Sequence, residues 1–255
     1  MEQISFEQFK TIYKRYYKII VDLLIKNNVP FSCACGTLLG AIREKNIIEW
    51  DYDIDNFFFL EDVDKLLSIK ERLPDNFYFE SYLNGKLRYG LVRILCKDLF
   101  RHDKKSSRYL NVWFDFFAVR NVKIDENRRR KIYENVLKEE AKTAFKNTKY
   151  KSKNILKEVA KRVYQFFLPS YERSSRRIER KVKKLKDGTT CIMCRNCRLV
   201  STNAIDKNNI TFVRFGDFDI PCYSNYENVL ESLFGKTWKT PTVYSGRTVP
   251  EFYMK

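Results

Sequence analysis

Ser5-Phe6-Glu7-Gln8 reads as a capping box opening an amphipathic helix over residues 4–27, and small apolar residues predict a second, short helix over 37–43. The period then changes from helical to two. Asp51, Asp53 and Asp55 alternate with Tyr52 and Ile54 and lead into Phe57-Phe58-Phe59-Leu60, which predicts a strand over 53–60. A helix over 61–72 follows, then strands near 77–83 and 88–96 joined by a hairpin turn at Asn84-Gly85. Residues 111–119 form a strand that is apolar on both sides of Asp115. A largely helical stretch runs from about 126 to 186 and precedes two short strands. One of these, Phe218-Asp219-Ile220-Pro221, should be ended by its proline, and Tyr226–Gly235 then forms a helix with Val229, Leu230, Leu233 and Phe234 on its packed face. This order fits an α+β domain with a mixed central sheet that carries the acids.

Three carboxylates on one strand face repel one another unless a cation lies between them or one stays protonated. A hard divalent ion with oxygen ligands resolves the conflict, and Mg²⁺ usually keeps substrate phosphate in its shell. The alternative is a polar strand end at the surface. Upstream, Gly36 and Thr37 at a helix start leave backbone N–H groups facing outward, a phosphate cradle or a plain helix cap. Asp115 is costly to bury in its apolar strand without a cation or several hydrogen bonds, although it could also cap a strand end. Arg43, one turn past the cradle, and Arg93, on the strand between the two acidic elements, could each clamp a diphosphate.

The block from Gly36-Thr37-Leu38-Leu39-Gly40-Ala41-Ile42-Arg43 to Ile47-Ile48-Glu49-Trp50-Asp51-Tyr52-Asp53-Ile54-Asp55 resembles the signature of the LicD/fukutin family of phosphotransferases. Asn46, Glu49 and Tyr52 depart from it, as does Arg120 after the later acidic strand. Phe218–Pro221, the following helix, Lys236, Trp238 and Pro241 continue the likeness, which spans about 12–120 and 210–245. The resemblance implies a nucleotidyltransferase-like fold with flanking helices. It also implies transfer of a phosphorylated alcohol, such as phosphocholine, from a CDP-alcohol donor such as CDP-choline onto a glycan or lipid-linked oligosaccharide acceptor, with CMP released. Lipopolysaccharide, capsule and teichoic acid are acceptors of this kind. Asp53, Asp55 and Asp115 would hold Mg²⁺ or Mn²⁺, Asp115 or Asp51 would take the acceptor's proton, and Gly36, Thr37, Arg43 and Arg93 would meet the phosphates.

With 255 residues, 44% of them hydrophobic, the chain can bury one substantial core, which places residues 1–255 in a single catalytic domain with a basic insertion at about 126–186. No apolar run reaches the ~20 residues of a membrane span. The amino terminus does not read as a signal peptide, and the expected location is cytoplasmic, peripheral at the inner membrane face. Seven cysteines at irregular spacing suit a reducing compartment. Cys191, Cys194 and Cys197 form a CxxCxxC run that, with Cys222 or His102, could hold a structural Zn²⁺ or could be small apolar side chains in a strand or loop. Cys33, Cys35 and Cys96 read as core residues.

Charge is concentrated in residues 128–186, where 21 Lys or Arg stand against 6 Asp or Glu, a net +15 of the chain's +17. Within it Ile155, Leu156, Val159, Val163, Tyr164, Phe166 and Phe167 recur at helical spacing among lysines. Such a helix either rests on anionic lipid headgroups or packs its apolar stripe on the core. Two other readings compete with the transferase. A nucleotidyltransferase would release pyrophosphate, and a nucleic-acid-binding protein would use the positive charge but would not want an acidic strand beside a phosphate cradle.

Overall fold

A computed structural model describes residues 1–104, 107–148, 154–241 and 249–255. Ser5 opens helix α1 (Phe6–Lys26) with the expected reciprocal cap: its hydroxyl accepts from the Gln8 N–H, and its own N–H donates to the Gln8 side chain. The buried stripe of α1, including Phe9, Tyr13, Tyr17, Ile20 and Leu24, lies against a nine-stranded mixed sheet. That sheet has strands β1 (Glu2–Ile4), β2 (Ser32–Cys33), β3 (Ile54–Phe59), β4 (Phe77–Ser81), β5 (Leu91–Asp103), β6 (Arg108–Lys123), β7 (Lys186–Met193), β8 (Leu199–Ser201) and β11 (Phe252–Met254). With seven α-helices among the described residues, the architecture is α+β.

Strand β6 organises the sheet. It runs parallel to β3 on one edge, with Asp55 opposite Asp115, and antiparallel to β5, with Arg93 opposite Asp115. At Ala118 the partner changes. The Ala118 N–H donates to the Gly90 carbonyl at 2.7 Å, the Ala118 carbonyl accepts from the Cys194 N–H at 2.8 Å, and β7 takes over from there. Gly90 has φ +73° and a Cβ there would crowd Cys194 and Ala118, so glycine lets β5 begin where β7 leaves.

Helix α2 (Cys35–Arg43) follows β2 directly. The stretch read as one helix over 61–72 is α3 (Val63–Ser68) flanked by 3₁₀ turns. Strands β4 and β5 pair antiparallel, but residues 82–90 connect them through a 3₁₀ turn and Gly85 in the left-handed region, a longer link than a tight hairpin. Three helices, α4 (Glu126–Lys146), α5 (Ile155–Phe167) and α6 (Tyr171–Lys183), occupy most of the basic stretch. Strands β9 (Ile210–Phe215) and β10 (Phe218–Tyr223) form a separate hairpin. Pro221 lies inside β10, opposite Phe212, and does not end it; a two-stranded hairpin offers the edge position proline needs. Helix α7 (Tyr226–Phe234) ends at Gly235 as expected. Among the described residues no helix is long and apolar enough to cross a membrane.

Candidate active site

Two tyrosines of α1 fix the acidic strands. The Tyr13 hydroxyl donates to the Trp113 carbonyl on β6 and accepts from the Ile54 N–H on β3. The Tyr17 hydroxyl donates to Asn56 Oδ1 at 2.6 Å, and the buried Asn56 amide donates to the Asp115 carbonyl at 3.2 Å. Parallel register then sets Asp55 and Asp115 side by side on neighbouring strands, about 4.8 Å apart as strands are. The Asp115 carboxylate accepts from Arg93 Nε at 2.6 Å and from Trp113 Nε1 at 3.0 Å, and the Arg93 guanidinium lies 4.3 Å from the Trp113 ring. The cost of burying Asp115 is thus offset by charge-assisted hydrogen bonds.

Asp51, Asp53 and Asp55 line one cleft of about 340 Å³, with Cys35 and Gly36 from the start of α2. Only Asp55 belongs to β3; Asp51 and Asp53 lie in the chain leading to it. Burial, then the charges of Asp53, Asp115 and Asp51, push the Asp55 carboxyl well above the ordinary carboxylate range. Gly36 is required by close approach, because a Cβ there would stand 2.5 Å from Asp51 Oδ2. This puts the Asp51 carboxylate at the amino end of α2, where the helix dipole favours negative charge. Thr37 turns inward, and its hydroxyl accepts from the Asp55 N–H at 2.9 Å, tying α2 to β3. Arg43 lies at the other end of α2, where it reaches the Trp238 carbonyl and Glu44 and does not line the cleft.

The opposite wall comes from residues that sequence reasoning passed over. The turn after β7 brings Arg195, Asn196 and Arg198 into the cleft beside Phe117, Met193, Leu233 and Phe234. It is closed by the Cys197 N–H donating to the Met193 carbonyl and the Met193 N–H donating to the Arg198 carbonyl, with Cys197 at φ +57°. Arg195 is aimed by Glu140 on α4, at 3.1 Å, which also pairs with Arg88 at 2.6 Å. Arg198 donates to the Leu233 carbonyl at 3.1 Å.

Cys35 is not a core residue. Its backbone takes φ +47°, its thiol hydrogen-bonds Asp55, and burial, then the Asp55 charge, raise its pKa while Arg198 opposes the rise. Cys33 and Cys96 are buried as read. Cys191, Cys194 and Cys197 are buried too, and burial pushes the Cys197 thiol up to about 11. Cys222 interacts with Cys33, and His102 faces Tyr109 and Glu251. The thiols of Cys191, Cys194 and Cys197 are buried, while Arg195 and Arg198 of the same turn line the cleft.

Among the described residues no three His, Cys, Asp or Glu side chains stand close enough to share an ion. The donor chemistry of the cleft nonetheless fits a hard divalent cation: its acids are carboxylates, and such an ion offsets the repulsion from Asp53, Asp115 and Asp51 that adds to burial in raising the Asp55 pKa. In the present arrangement Arg93 supplies the positive charge beside Asp115.

Asp51, Asp53 and Asp55 thus face Arg195 and Arg198 across one cleft at the edge of a mixed sheet. Residues 28–152, just under half of the chain, match the family model described as LicD/FKTN/FKRP, nucleotidyltransferase domain, and this match supports membership of the LicD family. The chain is also similar to uncharacterized protein RP689 of Rickettsia prowazekii (strain Madrid E), 33% identical over 89 residues, 35% of this chain and 32% of that one. It is 29% identical over 98 residues to uncharacterized protein RT0683 of Rickettsia typhi (strain ATCC VR-144 / Wilmington), 37% of this chain and 29% of the relative. Each match spans about a third of the relative's length.

Proposed function

We propose that this chain moves a phosphorylated alcohol, such as phosphocholine, from a CDP-linked donor onto a hydroxyl of a glycan or its lipid-linked precursor, releasing CMP. The observation that carries the reading is the cleft where Asp51, Asp53 and Asp55 meet Arg195 and Arg198, with Asp115 and Arg93 in register beside Asp55 on the neighbouring strands. Asp53 and Asp55 would hold Mg²⁺, which when bound supplies charge neutralisation for the diphosphate and the leaving CMP, and Asp115 would join them only on giving up its bonds to Arg93 and Trp113. Arg195 and Arg198 meet the phosphates from the opposite wall, and Phe117, Leu233 and Phe234 give the donor an apolar surface. Both Asp115 oxygens already accept hydrogen bonds from Arg93 or Trp113 and are occupied by them. The proton of the acceptor hydroxyl therefore goes to Asp51, which lines the cleft.

Identifying the leaving group tests the reading. CMP released from a CDP-alcohol, dependent on Mg²⁺ and abolished by Asp53→Asn, is the expected result. The family description itself keeps a second reading in play, nucleotide addition on the same scaffold. Pyrophosphate released from a nucleoside triphosphate, with CDP-alcohols inert, would favour it.

A further inference from the structure

Helix α5 packs with its polar side inward. Gln165 is only 9% exposed, and its amide donates to the Phe145 and Thr148 carbonyls of the α4 end at 2.8 and 3.1 Å. Glu158 and Lys161 pair along the same half-buried side, and Lys146 on α4 donates to the Leu168 carbonyl at 2.6 Å. The apolar stripe consequently points away from the protein. Ile155, Leu156 and Phe166 are each 80% exposed and Phe167 76%, while Val159, Val163 and Tyr164 are more than half exposed. A soluble helix ordinarily buries such a stripe, and a contiguous exposed one marks an interaction surface.

The charge around the stripe selects its occupant. Exposed Lys157 and Arg162 flank it on either side, within the stretch that carries a net +15. A second copy would bring two such segments together against their repulsion. The 13 residues of α5 rise ~20 Å as a helix, too short to span a bilayer but sufficient to lie in its surface plane. We propose that α5 is a membrane-docking element, its apolar stripe entering the headgroup boundary of an anionic lipid surface while the flanking cations meet the phosphates. This surface is separate from the acidic cleft and would hold the protein to a membrane whatever the cleft transfers.

The test is flotation of the full chain with vesicles of phosphatidylcholine alone or with a third phosphatidylglycerol, at low and high salt, without nucleotide. Binding to the anionic vesicles is expected, weakened by salt, and reduced about tenfold both by Phe166→Ser with Phe167→Ser and by Lys157→Glu with Arg162→Glu. All four side chains are exposed, and circular dichroism of both variants should match the parent. Equal binding to neutral vesicles would overturn the proposal. So would anionic binding that neither variant alters, or no vesicle binding together with a concentration-dependent dimer that the phenylalanine variant abolishes.

Discussion

Asp55 is the residue on which fold and chemistry conflict. Its pKa is raised by burial first and by Asp53, Asp115 and Asp51 next, so the folded state binds more protons there than the unfolded chain. Stability contributed by such a group falls as pH rises from the unfolded carboxylate value toward the folded one. At neutral pH Asp55→Asn should therefore raise Tm by a few degrees while abolishing transfer; a lower Tm in thermal unfolding would contradict the repulsion. Gly36→Ala places a methyl against Asp51 and should reduce turnover far more than stability, which parallel kinetic and unfolding measurements check. Asp55 was legible as a strand acid because an apolar run follows it, and the lone Asp115 because its neighbours are apolar, whereas Asp51 and Asp53, whose alternation read as strand, lie in the chain leading to β3. The place of Cys35 was not, because a small thiol looks the same beside a core and beside a cleft.

At the scale of elements, the site depends on how α2, β3, β5 and β6 are tied. Thr37→Val would leave the Asp55 N–H without its acceptor and should cost about 1–2 kcal/mol in denaturant unfolding. The strands themselves were readable from their apolar runs. Their register was not: that Arg93 stands opposite Asp115 follows from pairing between residues 22 apart, which no local pattern encodes. The second wall was hidden for a similar reason. Arg195 and Arg198 sit in a cysteine-rich turn that suggested metal, and only the exchange of β5 for β7 along β6 brings them to the acids. Arg198→Ala should weaken binding of a CDP-linked donor about tenfold, or ~1.4 kcal/mol by calorimetry, with little change in Tm. The orientation of α5 was likewise undetermined, because an amphipathic helix has the same periodicity whichever side it buries.

Across the whole molecule, the two ends of the chain close one side of the sheet. Strand β1 pairs with β11, and β11 with β5, in three-residue ladders too short for a sequence pattern to reveal. Phe252 in β11 is 2% exposed and stacks on Phe9 with ring centroids 3.6 Å apart, while Tyr52, between two of the acids, also packs toward it. Phe252→Ala should cost about 3–5 kcal/mol in chemical denaturation and loosen the acidic segment with it. The most direct measurement on the whole protein is thermal unfolding with CDP-choline, CDP-ribitol, CDP-glycerol or CDP-ethanolamine, with and without Mg²⁺, in the parent and in Asp53→Asn. The expected result is that at least one of these donors raises Tm only when Mg²⁺ is present, and fails to do so in Asp53→Asn. Protection by none of them, or equal protection of the Asp53→Asn protein, would contradict a cleft built to grip a metal-bound cytidine diphosphate.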